Sequence, residues 1–479
     1  MIGYGLFAVA LSMATLLFVY IANGYYIDSS TGQVIQNGLV YVDSKPVSAE
    51  VWIDGEKQNV QTDSRHVIPS GPHTISLRAD GYRDWSRSFD LKGSSLLQLT
   101  YARLIPDQIT VTSGASLRAD PYSVLQSIDR RWMIASHETN PLVLSLLDTA
   151  DPSQTTSEDL IIDEDVLLKP SDDAQIELLE WDGSHRYILA RYTAQDSVEY
   201  LLLDRAADEQ TLNLTALGEQ YDFYMQDRDI DTYFAYDRDE QTVHRASQTN
   251  VSATPLLSGV IDFVAFEDNW IVYVVESDTA GMVEARFMNG DDDILLKELA
   301  AADSYHLQLA KLDSSPIIAL ASSDDDRVSV YRDPQAQLRD MPELDIPAPA
   351  TVFRLQDVQD VRISSDSSLV MAYSGADVVS YEFETETPYR FTVDAAFDDG
   401  QELQWIDGQH VVYVSNNMYH SLDFDGSNSY QLFESAAAGM PVYASDSVEE
   451  LFSFQLANQP EDSSVRQLPQ LQVASLLAQ

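Results

Sequence analysis

The side chains that most often carry enzyme and metal chemistry are absent from this chain or stand far apart. Cysteine does not occur, which excludes thiolate nucleophiles, thiolate metal sites and disulfides. The eight histidines come no closer than His66 and His73, and no His-Glu-x-x-His pattern occurs. Neither Gly-x-Ser-x-Gly nor a phosphate-binding glycine loop is found. We therefore expect no catalytic, cofactor-binding or metal-binding residues, and no cofactor.

Carboxylates are the abundant reactive groups, with 77 Asp and Glu. The run at 423–428, DFDGSN, has the oxygen spacing that begins a calcium loop, and Glu434 stands at its twelfth position. Its flanks alternate like strands rather than helices, so we predict a hairpin turn. The tracts 291–293 and 324–326 are predicted to be solvated acidic loops, since one tract rarely supplies six oxygen ligands. Glycoside hydrolysis needs only two carboxylates about 5–10 Å apart, so a carbohydrate-active enzyme remains an alternative.

The density of acidic residues changes sharply near Pro106. The formal net charge is −49, of which residues 1–105 contribute −1 and residues 106–479 contribute −48. Such a change in charge density predicts a domain boundary. The negative potential of the second part excludes nucleic acid and anionic lipid headgroups as partners over most of its surface.

The amino-terminal segment is apolar. Residues 2–22 carry no charge and as a helix would reach about 30 Å, the thickness of a bilayer core. We predict a transmembrane anchor at residues 1–23; a cleaved signal peptide fits less well, because the segment is long and has no basic start. The first 44 residues contain no Lys or Arg, so the sequence gives only weak signals for the orientation of the anchor in the membrane. The expected localisation is the cell membrane, single-pass, with most of the chain extracytoplasmic.

Residues 34–106 read as a small β-sandwich. Short alternating strands are separated by turns such as Asp54-Gly55, and no helical period appears. Arg78, Arg83, Arg87 and Trp85 are interpreted either as a solvated strand face or as a basic-aromatic contact to an anionic partner.

This region resembles the PEGA domain. The resemblance covers about 60 residues in the family's order and spacing, although Val47 and Ser48 stand where the family has Glu and Gly. It implies a small all-β extracytoplasmic module of anchored envelope proteins, with no catalysis and no site residues. The residues that carry it are Ser44-x-Pro46-Val47-Ser48-Ala49, Val51-x-Ile53-Asp54-Gly55, Ile68-Pro69-Ser70-Gly71-x-His73-x-Ile75 and Asp80-Gly81-Tyr82.

Residues 107–475 repeat one pattern, in which an apolar strand follows a turn and leads to a polar strand and an acidic loop. The spacing of 38 to 55 residues fits the roughly 40–50 residues of a four-stranded propeller blade. The repeats resemble the degenerate WD40-like blades of TolB-type propellers, including the hairpin at 423–428. We predict an all-β chain whose propeller has seven or eight blades. The apolar strands contain Trp132, Tyr187, Tyr233, Ile271, Ile318, Val370, Val411 and Leu451.

These features predict a membrane-anchored extracytoplasmic binding or scaffold protein of the cell envelope, not an enzyme. Its propeller would present an end face to a protein or a cell-wall polymer, because loops from all blades converge there. The alternatives are a surface carbohydrate-active enzyme and a cytoplasm-facing assembly scaffold.

Overall fold

The computed structural model describes residues 2–22, 25–27, 34–195, 197–206, 211–266, 270–393, 402–436, 440–457 and 468–478. The chain divides into two compact units. The small unit comprises Met1–Ile109 and Leu476–Gln479, and the large unit comprises Thr110–Ser475.

The chain begins with one helix, α1 (Ile2–Ala22), followed by the short strand β1 (Tyr25–Ile27). Over the described ranges, no helix combines the length and the apolar character that crossing a bilayer requires. The predicted anchor at residues 1–23, and the single-pass cell-membrane localisation deduced from it, are therefore wrong.

The small unit is a sandwich of two four-stranded sheets. In one, β2 pairs with β1 and β5 on antiparallel ladders and with β8 in parallel; the other has the order β4-β3-β6-β7. Trp85 is fully buried between the sheets with Val40, Val51 and Leu77. The strands are β2 (Val34–Lys45), β3 (Glu50–Ile53), β4 (Glu56–Gln61), β5 (Ser64–Pro69), β6 (Gly71–Arg78), β7 (Trp85–Leu91) and β8 (Leu96–Arg103).

The large unit begins with β9 (Thr110–Ser116), and its described residues form eight antiparallel sheets. Apart from β9 and a short extra strand, β22, each sheet consists of four strands that are consecutive in the chain. Sheets one and two contain β10 (Pro121–Gln126), β11 (Trp132–His137), β12 (Val143–Asp148), β13 (Thr156–Ile161), β14 (Gln175–Trp181), β15 (Tyr187–Ala194), β16 (Ser197–Asp204) and β17 (Leu212–Asn213). Sheets three and four contain β18 (Tyr221–Gln226), β19 (Asp229–Asp237), β20 (Thr242–Ser247), β21 (Asn250–Val251), β22 (Leu257–Ser258), β23 (Val260–Phe266), β24 (Trp270–Glu276), β25 (Met282–Asn289) and β26 (Asp292–Ala300).

The second half of the large unit follows the same plan. A short helix, α2 (Pro334–Asp340), precedes the last strand of sheet five, and 3₁₀ turns occur at Pro152–Gln154, Glu164–Val166 and Leu214–Leu217. Sheets five and six contain β27 (Tyr305–Leu312), β28 (Ser315–Ser322), β29 (Asp325–Arg332), β30 (Thr351–Arg354), β31 (Asp360–Ile363), β32 (Leu369–Ser374), β33 (Asp377–Glu382) and β34 (Thr387–Thr392). Sheets seven and eight contain β35 (Gln404–Trp405), β36 (His410–Ser415), β37 (Met418–Asp423), β38 (Tyr430–Glu434), β39 (Tyr443–Ala444), β40 (Glu450–Gln455) and β41 (Gln470–Ser475).

Neighbouring sheets pack face to face, and the last sheet packs against the first. Ile134 of sheet one and Ile188 of sheet two share one apolar cluster, while Phe452 of sheet eight and Met133 of sheet one share another. Sheet eight is completed by β9, which pairs with β41 along most of its length. The first strand of the unit therefore closes the ring with its last strands, and the large unit is a β-propeller.

Burial on both faces explains the continuous apolar runs in the sequence. The second strand of each sheet lies between two neighbouring sheets, so both of its faces are covered; β36 is buried along its whole length.

The first hairpin of several sheets uses one kind of turn. Asp182 accepts the backbone N–H groups of Arg186 at 2.8 Å and Tyr187 at 2.7 Å, where β15 begins. Such side-chain acceptors replace a missing backbone partner and fix the register of the hairpin. Three serine hydroxyls accept backbone N–H groups in the same way. Ser127 accepts the N–H of Trp132, Ser364 that of Leu369, and Ser445 that of Glu450.

Candidate functional site

The site lies at the end of the propeller where the first strand of each sheet begins. First strands of neighbouring sheets contact one another, as β10 with β14, β23 with β27, and β27 with β31, so they surround the centre of the ring. Because the sheets repeat one connectivity, these strands begin at the same end. We call this end the entry face; charged and tyrosine side chains of several sheets meet there.

Sheets two and three contribute two arginine–carboxylate pairs. Glu177, near the start of β14, pairs with Arg191 on β15. Asp222, near the start of β18, is buried, accepts the Tyr200 hydroxyl at 2.8 Å and pairs with the exposed Arg238. Burial, and then the Asp222 carboxylate, raise the pKa of Tyr200 well above its usual value, so its hydroxyl remains a donor.

Sheet four contributes a carboxylate without a cationic partner. Asp262 follows an irregularity in the register of β23 after Val260, of the kind that turns a side chain away from regular pairing. Its Oδ1 accepts the N–H of Phe263 at 2.8 Å, and no Lys or Arg of the described residues pairs with it. Burial raises the pKa of the Asp262 carboxyl, although the hydrogen bond from the Phe263 N–H and the nearby His306 oppose the shift.

Aromatic rings of sheets three and four meet around Phe263. Tyr224 of β18 is 41% exposed, and its ring centroid lies 5.1 Å from that of Phe263. Tyr236 lies 5.6 Å from the same Phe263 ring. Burial is the main cause of the raised pKa of Tyr224, followed by the Asp222 carboxylate; Arg238 opposes the shift, and Asp262 adds a smaller contribution. In the described part of the chain, no Arg or Lys stacks on Tyr224, so part of its aromatic surface is open to solvent.

The same pattern continues in sheets six and seven. Arg362 of β31 donates to Asp360 at 2.6 Å and pairs with Glu402, just before β35. Tyr373 of β32 lies nearby, and burial raises its pKa to about 12. The entry face thus carries paired charges of both signs in sheets two, three, six and seven.

One further titratable pair lies at the opposite end. Glu180 is near the end of β14, and its carboxylate lies 3.7 Å from Arg228, in the turn after β18. Burial raises the pKa of Glu180 to about 7, although the Arg228 charge opposes the shift. Because it lies at the other end of the first strands, this pair belongs to a separate environment.

The predicted hairpin at 423–428 lies between β37 and β38. Asp423 is buried and accepts the Asn428 amide at 2.8 Å, while Asp425 accepts the N–H of Ser427 at 3.1 Å. Strands rather than helices flank this turn. Hydrogen bonds of these oxygens within the turn hold the hairpin.

The two aspartate tracts lie at hairpins and pair with basic side chains. Asp293 accepts the Tyr273 hydroxyl at 2.9 Å and pairs with Arg286, and Asp325 pairs with Lys297 at 2.6 Å. Among the residues that the structure describes, no three His, Asp or Glu side chains gather as a metal site would require.

The predicted basic-aromatic group of the small domain is not one exposed surface. Trp85 belongs to the core, and Arg87 is buried as well. Arg78 lies over the Trp52 ring at 4.5 Å and pairs with Asp84 at 2.8 Å. Trp85 and Arg87 are therefore unavailable to an anionic partner, and neither belongs to a solvated face.

Sequence reasoning missed Tyr224, Asp262 and Arg238, because they stand on separate segments of two sheets and share no motif. One signal was available: an aspartate occupies one of the first three positions in β18, β23 and β31. Polar residues at the start of otherwise apolar central strands point toward the end of a propeller.

Comparison with known families identifies one domain. The PEGA domain family matches residues 37–102, as the sequence predicted. No curated protein sequence matches the chain.

Several solved structures resemble it at low identity. They include the Dos1 propeller, 12% identical with a TM-score of 0.47, where the match covers 77% of this chain and 95% of that chain. AztD from Citrobacter koseri is 10% identical with a TM-score of 0.40, covering 82% and 96%. An oligogalacturonate lyase in complex with manganese is 10% identical with a TM-score of 0.40, covering 75% and 98%. Similarity at this level says nothing about activity. The chain thus combines a PEGA domain with a β-propeller.

Proposed function

We propose that this protein is a non-catalytic binding or scaffold protein, and that its propeller, with the eight sheets as eight blades, binds a protein partner at the entry face. The observation that carries the proposal is the 41% exposed Tyr224 at the entry face, with the paired Asp222 on the same strand and Asp262 on the first strand of the next sheet. Tyrosine and arginine are the residues on which protein interfaces depend most. Charges held in arginine–carboxylate pairs give the face a fixed pattern, which favours selection of a complementary partner.

The paired carboxylates support binding over catalysis. Glu177, Asp222 and Asp360 each pair with an arginine, which occupies their oxygens. Such ion pairs keep the side chains of the entry face in fixed positions. The PEGA domain adds to this interpretation, because its family resemblance implies no catalysis.

A second candidate function rests on Asp262. A carboxyl whose pKa burial raises is suited to act as a general acid, and glycoside hydrolysis needs such a group opposite a second carboxylate. Asp222, which lies on the first strand of the neighbouring sheet, is one candidate for the second carboxylate. Release of reducing sugar from cell-surface polysaccharides by wild type, and its loss in Asp262→Asn, would establish this alternative.

Site-specific photo-cross-linking tests the binding proposal. A photoreactive phenylalanine analogue replaces Tyr224 in one chain and Met341 in another; Met341 is 44% exposed and lies just after α2, away from the first strands. We expect one discrete protein adduct at position 224 and none at 341. Equal labelling at both positions, or adducts to polysaccharide only, would contradict a protein partner at the entry face.

A further inference from the structure

We propose that a cleft between sheets three and four binds a small organic molecule that carries protonated amino groups. The cleft has a volume of about 330 Å³, at the lower end of the range that small-molecule sites occupy. Gln241, Ser258 and Gly259 line one side of it, and Glu276 and Glu284 of sheet four line the other. Because Gly259 immediately precedes β23 and Glu276 ends β24, the cleft lies at the entry face. Such a ligand does not depend on the protein partner proposed above.

The floor of the cleft is apolar. Tyr273 and Val275 line it and pack in the apolar cluster between sheets three and four. The Tyr273 hydroxyl donates to Asp293 at 2.9 Å, which holds the ring in place. A Cβ at Gly259 would meet nothing within 4 Å, so the wall above this floor leaves room for a ligand. Methylene groups of a ligand would therefore be buried on the floor, with its polar ends at the rim.

The guanidinium that lines the cleft already has two anionic partners. Arg286 donates from Nη1 to Glu284 at 2.7 Å and from Nε to Asp293 at 3.1 Å. Two carboxylates thus share one cation, and an anionic ligand beside Arg286 would meet an excess of negative charge.

Negative charge without a cation remains at the rim of the cleft. Glu276 is exposed, and none of the Lys, Arg or His side chains that the structure describes pairs with it. The register of β25 and β26 places Glu298 directly opposite Glu284, and like charges in that arrangement destabilise a sheet. A bound cation would offset this repulsion.

The other polar groups of the cleft suit an ammonium group better than a metal ion. The Ser258 hydroxyl and the Gln241 amide have no side-chain hydrogen-bond partner among the described residues, so the oxygens of both can accept from a ligand N–H. In the same part of the chain, no three His, Asp or Glu side chains gather closely enough to hold a metal ion. Separated acceptors around an apolar floor instead fit a flexible chain that carries amino groups.

Calorimetry with the full chain at low salt tests the charge requirement. The probes are cadaverine, the diol of the same chain length, and glutarate, the corresponding dicarboxylate. We expect cadaverine to bind and the diol to bind at least about tenfold more weakly, because hydrogen bonds between charged groups are stronger than those of neutral hydroxyls. Glutarate should not bind detectably. Equal affinity for cadaverine and either other probe, or no binding of cadaverine, would overturn the proposal.

Two variants locate the binding in the cleft. Ser258→Trp fills the cleft with an indole ring and should weaken cadaverine binding at least about tenfold, whereas Ser365→Trp, in the turn between β31 and β32, should not change it. Glu276→Gln should weaken binding about threefold, the size of one exposed charge contact. Its control, Glu384→Gln, removes the same charge from an exposed residue in the turn between β33 and β34 and should have no effect.

The controls decide whether the cleft is the site. Equal weakening by Ser258→Trp and Ser365→Trp, or by Glu276→Gln and Glu384→Gln, would reduce the effect to nonspecific contact or overall charge and refute the proposal. Thermal midpoints close to wild type would exclude misfolding, and the comparison of probes on wild type needs no variant. Cross-linking at position 224 is measured separately, so failure of cadaverine to bind leaves the proposed function standing.

Discussion

Asp222 binds two side chains, Tyr200 on β16 and Arg238 in the turn after β19, and its loss should lower the free energy of unfolding. It is buried, accepts the Tyr200 hydroxyl and pairs with Arg238. Asp222→Ala leaves the buried Tyr200 hydroxyl without its acceptor, which typically costs about 1–3 kcal/mol in the free energy of unfolding. Asp222→Asn keeps an acceptor and should cost less. Urea denaturation measures both, with the exposed Asp231→Ala as control; equal losses for the control and Asp222→Ala would contradict the assigned role.

Glu180 should make stability depend on pH. Burial raises its pKa from the usual 4.5 to about 7, so between these values the folded chain retains a proton that the unfolded chain has released. Its contribution to stability therefore falls as pH rises through this window. Relative to wild type, the thermal midpoint of Glu180→Gln should rise from about pH 4.5 to about pH 7 and then level off. A difference that does not change with pH would show that Glu180 titrates normally.

At the scale of strands, burial decides what the sequence could predict. The eight apolar positions, from Trp132 to Leu451, all lie in the second strands of the eight sheets. These strands are covered on both faces, which makes their runs continuous and easy to detect. The alternation of side chains along a strand explains why Trp85 and Arg87 were wrongly predicted to form part of an exposed group. The two residues are two positions apart in β7 and so share a face, and this face is buried.

The turns between first and second strands should contribute measurably. Ser364 accepts the N–H of Leu369 at 3.1 Å and donates to Asp366 at 2.7 Å. We expect Ser364→Ala to lower the free energy of unfolding by about 1–2 kcal/mol, because a buried N–H loses its acceptor. The neighbouring Ser365 is exposed, and Ser365→Ala should change stability by less than about 0.5 kcal/mol. Equal effects in chemical denaturation would show that the turn is fixed by the backbone alone.

At the scale of the whole molecule, the large unit depends on a strand from its own beginning. β9 completes the last sheet by pairing with β41. A chain that begins at residue 108 keeps this strand, and a chain that begins at residue 118 lacks it. We expect the first to unfold in one cooperative transition and the second at a lower temperature over a broader range, because sheet eight then has an open edge. Identical calorimetric transitions would mean that closure by β9 does not stabilise the ring.

The site could be predicted far less well than the fold. Propeller repeats and the PEGA residues are local patterns, whereas Tyr224 and Phe263 meet only because two central strands of different sheets lie side by side. No spacing in the sequence encodes that contact. The apolar composition of residues 2–22 likewise predicted an anchor that the structure does not support.

The central claim is that the entry face binds a protein partner, and the affinity of that partner tests it most directly. The protein captured at position 224 would be purified and titrated against wild type, Tyr224→Ala and Met341→Ala, with thermal midpoints measured for each. The account predicts at least about tenfold weaker binding for Tyr224→Ala, in the range expected for an exposed tyrosine at the centre of an interface, and no change for Met341→Ala. Equal affinity of all three chains would contradict it.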